Sequence, residues 1–233
     1  MARLEKVRAA VADAVALFSP VDCAGCGAPD RSLCDRCRRS LEPLLDTRLL
    51  AGADGAPLPV AFALSYDRVV RRVMLEFKQN GHTGLARALS DPFARVIAAA
   101  LETGPAVVGA AAVGPAVVGP AVIVPVPPGR ASSRRRGYDP VGLLLARAGI
   151  RPVRALRMLG ASAGQKQLGI EERARNRASA MTASGVVRGR KVLLVDDVVT
   201  TGATLAEAAL AVRAAGGVVI GAAALASTPR RSV

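Results

Sequence analysis

Residues 191–204 read Lys191-Val192-Leu193-Leu194-Val195-Asp196-Asp197-Val198-Val199-Thr200-Thr201-Gly202-Ala203-Thr204. The short apolar run is what a strand looks like when a parallel sheet buries both its faces. It ends on two adjacent carboxylates, Asp196 and Asp197, and a turn of small residues then opens a helix near Leu205. Thr200, Thr201, Gly202, Ala203 and Thr204 offer backbone N–H groups with little side-chain bulk, and the helix adds its positive end, so the turn suits a phosphate. Ionised carboxylates only accept hydrogen bonds, and at the carboxyl edge of a strand they suit vicinal hydroxyls or a metal. A sugar phosphate meets both demands.

The pattern of four apolar residues, Asp-Asp, two apolar residues, Thr-Thr-Gly, one residue and Thr resembles the phosphoribosyl-pyrophosphate (PRPP) motif of type I phosphoribosyltransferases. The resemblance implies that Asp196 and Asp197 hold the ribose hydroxyls and that Thr200 to Thr204 hold the 5′-phosphate. The contrary reading, a solvated acid pair beside an ordinary helix cap, needs two acids, three threonines and a glycine to coincide by accident.

With 233 residues, 51% of them apolar, the chain can bury one sizeable core and a small appendage. There are no tryptophans, and the few rings are Phe18, Phe62, Tyr66, Phe77, Phe93 and Tyr138, which disfavours base stacking on aromatic platforms. The net charge of +14 is concentrated: residues 130–191 carry 15 basic and 3 acidic side chains and hold +12 of it. That segment favours polyanions, either diphosphates or a nucleic-acid backbone. An apolar stretch at 9–18 is interrupted by Asp13 with no cleavage site before Cys23, so a cytoplasmic protein is expected. Residues 103–129 carry no charge, but prolines 105, 115, 120, 125, 127 and 128 exclude a membrane helix there.

All four cysteines fall in one place, Cys23-x2-Cys26 and Cys34-x2-Cys37. Each pair can present two thiolates from a tight turn, and four sulfurs complete a closed tetrahedral site for structural Zn²⁺. Two disulfides or a metal-free redox switch are the competing readings. Leu4, Val7, Val11, Val15 and Phe18 space an amphipathic helix ahead of this module, so residues 1–45 read as a helix plus zinc module and 46–233 as the main domain.

In the main domain, residues 46–65 read as a connector ending in a strand at Val60–Leu64, and Tyr66, Val69, Val70, Val73, Met74 and Phe77 mark one face of a helix. Lys78 follows, and the lone histidine, His82, is assigned no catalytic role. Leu85 to Leu101 continue at helical spacing, with Asp91-Pro92 restarting or kinking the helix. Gly104-Pro-Ala-Val-Val-Gly109 recurs as Gly114-Pro-Ala-Val-Val-Gly119, which reads as an insertion over 103–120. A strand at Ala121–Val126 leads into a proline-stiffened turn whose Val126 and Gly129 N–H groups suit a diphosphate. Arg130 and Arg134, Arg135 and Arg136 read as an anion-gripping loop, with a merely exposed basic loop as the alternative, and Asp139-Pro140 caps the next helix. Val153–Leu159 reads as a further strand, the Lys166 and Glu171–Arg177 region as a charged lid, and Val218–Leu225 as the last strand of an open, mainly parallel α/β sheet.

Taken together, the cysteine knuckles, Phe77-Lys78, Val124-Pro125-Val126-Pro127 with Arg136-Gly137-Tyr138, the Gln165, Leu168, Arg173, Asn176 series and the Asp196-Asp197 turn resemble the ComF family, a competence-associated branch of phosphoribosyltransferase-like proteins. The 104–119 repeat and Asp139, in place of the family's usual Asn, depart from it. The resemblance implies Mg²⁺-PRPP binding and pentosyl transfer with release of diphosphate, with Val126, Gly129, Arg136, Lys78 and Lys166 facing the diphosphate. It also implies an association with DNA uptake alongside a helicase and a DNA-processing protein. Two alternatives stand beside it: a non-catalytic nucleotide binder whose basic lid contacts single-stranded DNA, and a structural zinc adaptor.

Overall fold

The computed structural model describes residues 22–108, 119–128, 137–159 and 181–229. Five strands form the main sheet in the order β1-β2-β7-β6-β3. They are β1 (Asp46–Ala51), β2 (Pro57–Ser65), β3 (Val122–Pro125), β6 (Lys191–Val199) and β7 (Val218–Ser227). The β1/β2 hairpin is antiparallel and every other pairing is parallel. The expected α/β architecture with a mainly parallel sheet is therefore the observed one.

Period-two alternation sends successive residues of the central strands to opposite faces, and each face has its own apolar cluster. Leu193 and Val195 of β6, with Ala223 and Leu225 of β7, pack under the helices α2 (Arg68–Gln79), α3 (Ala86–Val108) and α4 (Pro140–Arg147). Val192 and Leu194, with Ala222 and Ala224, pack under α5 (Ala203–Ala214) and a small hairpin of β4 (Leu156–Met158) and β5 (Met181–Ala183). The run of alanines in β7 lets helices approach both faces closely. The cysteine segment, with α1 (Asp35–Arg39), shares the first cluster: Cys23, Ala24, Leu33, Cys37 and Leu41 pack with Val70, Val73 and Phe77.

Four local expectations change. The connector at 46–65 is a hairpin, because β1 adds an antiparallel edge to β2 through a turn at 52–56. Helix α3 runs through Pro92 without restarting and takes in the first repeat copy as far as Val108. Its Leu89, Phe93, Val96 and Ile97 are buried, and at about 1.5–3 kcal/mol per buried side chain they outweigh the roughly 3 kcal/mol cost of an internal proline. The strand expected at 153–159 shrinks to β4, which pairs with β5 outside the main sheet. The N-terminal helix at 4–18, the second repeat copy and the charged lid lie outside the described residues.

One glycine is required by the sheet itself. The register between β6 and β7 shifts at Val192/Leu193, and opposite the shift Gly221 takes φ 151°. A Cβ there would stand 3.0 Å from the carbonyl oxygen of Pro59 on the neighbouring strand. Gly221→Ala is expected to lower stability by about 1–3 kcal/mol in urea unfolding. Leu193→Ala, which empties a fully buried position, is expected to cost about 2–5 kcal/mol by the same measurement.

Candidate functional site

Strand β6 outruns its neighbour β3. The last β3/β6 partners are Pro125 and Val195, whereas pairing with β7 continues to Val199 and Ser227. The acid pair thus lies inside the strand rather than at its end, on a stretch laddered on one side only. Into this step opens a cleft of about 170 Å³, lined by Lys78, Val126, Pro127, Pro128, Asp139, Pro140, Val141, Asp196, Asp197 and Thr204.

The two carboxylates leave β6 in opposite directions, and their surroundings differ accordingly. Asp197 meets Lys78, with Nζ 2.8 Å from Oδ1 and both side chains mostly buried. Lys78 is delivered by α2, whose N-cap Asp67 accepts from the N–H groups of Val69 and Val70 and whose Val70, Val73, Met74 and Phe77 face the core. Tyr138 stacks edge-on against Phe77 at 5.8 Å between ring centroids, so the end of the basic loop is anchored beside Lys78. Asp196 accepts the N–H of Asp197 at 2.8 Å. Burial and then the negative charge of Asp197 push its carboxyl up to about 7, against the pull of that N–H and of Lys78.

The turn after β6 has a shape only glycine supplies. Gly202 adopts φ 85° as N-cap of α5, and a Cβ on it would collide with Leu50 of β1. Thr201 Oγ1 accepts from Ala203 N–H at 3.3 Å. Among the described residues, no backbone hydrogen bond engages the N–H groups of Thr201, Gly202 and Thr204, as the first turn of a helix requires of its leading donors. The turn is braced from behind, because Arg48 of β1 donates to the carbonyl of Thr200 at 2.7 Å. At the far end of α5, Arg213 pairs with Asp54 in the hairpin turn at 2.9 Å.

Of the residues singled out in the sequence, Lys78, Val126, Asp196, Asp197 and Thr204 share the cleft, while Thr200, Thr201, Gly202 and Ala203 form its adjoining turn. Val126 cannot serve as expected, since its N–H already donates to Val195 O at 2.9 Å and only the rest of the residue faces the cleft. Gly129, Arg136 and Lys166 lie outside the described residues. His82 sits away from the cleft, 3.5 Å from Glu76. Asp139 caps α4 as expected, accepting from Gly142 N–H at 3.0 Å, and also pairs with Arg154 at 2.9 Å. Sequence reasoning missed Arg48 and Leu50, for which local sequence carries no signal: their role exists only because the hairpin folds against the turn.

The four cysteines are free thiols, not disulfides, and their Sγ atoms lie within 4.8 Å of one another. Zinc–sulfur bonds of about 2.3 Å at tetrahedral angles put sulfurs about 3.8 Å apart, and Cys26 and Cys34 Sγ are at 3.7 Å. Burial raises the Cys23 thiol, but N–H groups of Cys34, Cys26 and Gly25 more than offset this and bring it down to about 6. Gly25 must be glycine, because a Cβ would lie 2.6 Å from Cys37 Sγ. The donor set fits a structural zinc ion.

Comparison with protein families matches residues 92–233 to the model described as "Phosphoribosyl transferase domain", a span that includes β3, the acid pair and the turn. No curated protein matches the chain. No helix among the described residues is long and apolar enough to cross a membrane.

Two outcomes follow from the electrostatics and the sulfur cluster. Between about pH 4 and 7 the folded chain holds a proton on Asp196 that the unfolded chain has released, so stability should fall as pH rises through that window and level off above it. Thermal unfolding of Asp196→Asn across the same range should lack this slope. Elemental analysis should find one zinc per chain, lost in Cys37→Ser, and chelation should lower the melting temperature.

Proposed function

Because the chain belongs to the phosphoribosyl transferase domain family, we propose that the stepped edge of β6 binds PRPP and, within that family, serves the ComF branch. The observation that carries the reading is the meeting of Asp196, Asp197, Lys78 and the Thr200–Thr204 turn at one open cleft. In this reading the N–H groups of the turn take the 5′-phosphate, and the acid pair accepts from the ribose hydroxyls. A hydroxyl on Asp197 competes with Lys78, which frees the ammonium to face the diphosphate toward Pro127 and Pro128. Arg136, Gly129 and Lys166 complete the diphosphate side. Mg²⁺ bound with PRPP supplies neutralising charge for the diphosphate.

Pentosyl transfer breaks the bond from C1′ to the diphosphate oxygen, whose electron pair leaves with the diphosphate, while a lone pair of the acceptor forms the new bond to C1′ and the acceptor releases its proton. Fixed cationic and N–H donors stabilise that developing charge more than the ground state, which is where the rate gain originates. The protein acts in the cytoplasm, with the zinc knuckle as a structural support for α2 and hence for Lys78. The charge of residues 130–191 favours a second reading, in which the same pocket only senses PRPP or a nucleotide while the basic segment contacts single-stranded DNA during uptake, beside a helicase and a DNA-processing protein.

Calorimetric titration with Mg²⁺-PRPP should give saturable binding. At a pH above about 7, where Asp196 has released its proton, each of Asp196→Asn and Asp197→Asn should weaken it by about 10- to 100-fold, the worth of a charge-assisted hydrogen bond. Absence of binding by the wild-type protein overturns the reading. PRPP binding without diphosphate release for any base or amine tested favours the sensor. For DNA, affinity should fall steeply with salt and drop when Arg134, Arg135 and Arg136 are neutralised.

A further inference from the structure

The sheet ends on β1, and among the described residues nothing pairs with its outer side. In an antiparallel ladder, facing residues alternate between pairs that exchange two N–H···O bonds and pairs that exchange none. Pro57 and Pro59 of β2 have no N–H, so their partners Ala51 and Leu49 belong to the second kind. Gly52 N–H donates to Ala56 O at 2.8 Å, which confirms the phase. Thr47, Leu49 and Ala51 therefore turn their N–H and C=O groups to the open edge. Apolar side chains crowd the same border: Leu44, Leu45 and Leu49 are 82%, 50% and 58% exposed.

An open, apolar strand edge is an aggregation hazard unless something covers it. The sequence here, Leu45-Asp46-Thr47-Arg48-Leu49, is self-complementary when read against itself in reverse about Thr47. We infer that β1 pairs antiparallel with β1 of a second copy of this chain about a two-fold axis at Thr47. In that register Asp46 of each copy faces Arg48 of the other, and Leu49 lies beside Leu45 of the other. Neighbouring registers with the same hydrogen-bond phase fare worse: an axis at Arg48 sets Arg48 against itself, and one at Leu49 leaves both charges unmatched. Opposite charges across a strand pair stabilise it and like charges oppose it.

The local geometry is compatible with this contact. Asp46 Oδ1 now accepts the N–H of its neighbour Thr47 at 2.6 Å. When that N–H pairs with the Thr47 carbonyl of the second copy, the carboxylate is released to meet Arg48. The guanidinium, a planar fork of donors, gives one of them to Thr200 O at 2.7 Å, and in this register it also faces the carboxylate of the other copy. Asp46 of the second copy would thus buttress the residue that braces the turn after β6. The contact is isologous, as a closed two-fold dimer requires, and its short strands place it among small, concentration-dependent interfaces.

Sedimentation velocity on the full chain over a concentration series tests the inference. The wild-type protein should shift from monomer to dimer, and Leu49→Lys, which places a charge on an exposed edge position, should stay monomeric. Asp46→Arg alone and Arg48→Asp alone should each abolish the dimer, and the combined charge exchange should restore it. A wild-type monomer throughout the series, a dimer indifferent to the single reversals, or failure of the combined exchange to restore it would overturn the inference.

Discussion

Past Val195, the central strand β6 has a neighbour on one side only, and the rest of the site depends on that inequality. Had β3 continued beside it, Asp196 and Asp197 would be laddered into a closed sheet, and burial of two carboxylates there would be prohibitively costly. Instead the Val126 N–H closes the ladder on Val195 O and the chain turns away through Pro127 and Pro128, which cannot donate a further bond. The carboxylates then stand at the floor of a cleft, supported by β7 and open on the β3 side.

Charge in that cleft is balanced internally. Lys78 compensates Asp197 directly, while Asp196 meets its burial by holding its proton more tightly. Two adjacent acids in one strand thereby meet different surroundings, because alternation points one toward α2 and the other toward the opposite face. Lys78 is held in turn by the stacking of Phe77 on Tyr138 and by the cysteine segment packed against α2. The cysteine knuckle and the cleft are thus mechanically connected through one helix.

The turn after β6 is held from the other side of the sheet. Arg48, Leu50 and Asp54, all from the β1/β2 hairpin, touch Thr200, Gly202 and Arg213, so both ends of the turn and helix unit rest on the hairpin. An edge strand with that duty cannot fray without loosening the turn that adjoins the cleft.

Much of this was legible in the residues themselves. The Val192–Thr204 run determined a buried strand, an acid pair and a glycine-dependent turn, and the two Cys-x-x-Cys pairs determined a four-sulfur cluster, because such signals are carried by neighbours a few positions apart. Other features depended on contacts between distant parts of the chain. How far β6 outruns β3, the use of the Val126 N–H by Val195, the pairing of Lys78 with Asp197 across 119 positions and the bracing of Thr200 by Arg48 belong to that class. So does the uninterrupted α3, where a buried face overrides the local cost of Pro92. Sequence by itself determined which groups exist and in what local order; the tertiary structure decided which of them meet, because strand offset and helix packing are set by burial of surfaces that no short window contains.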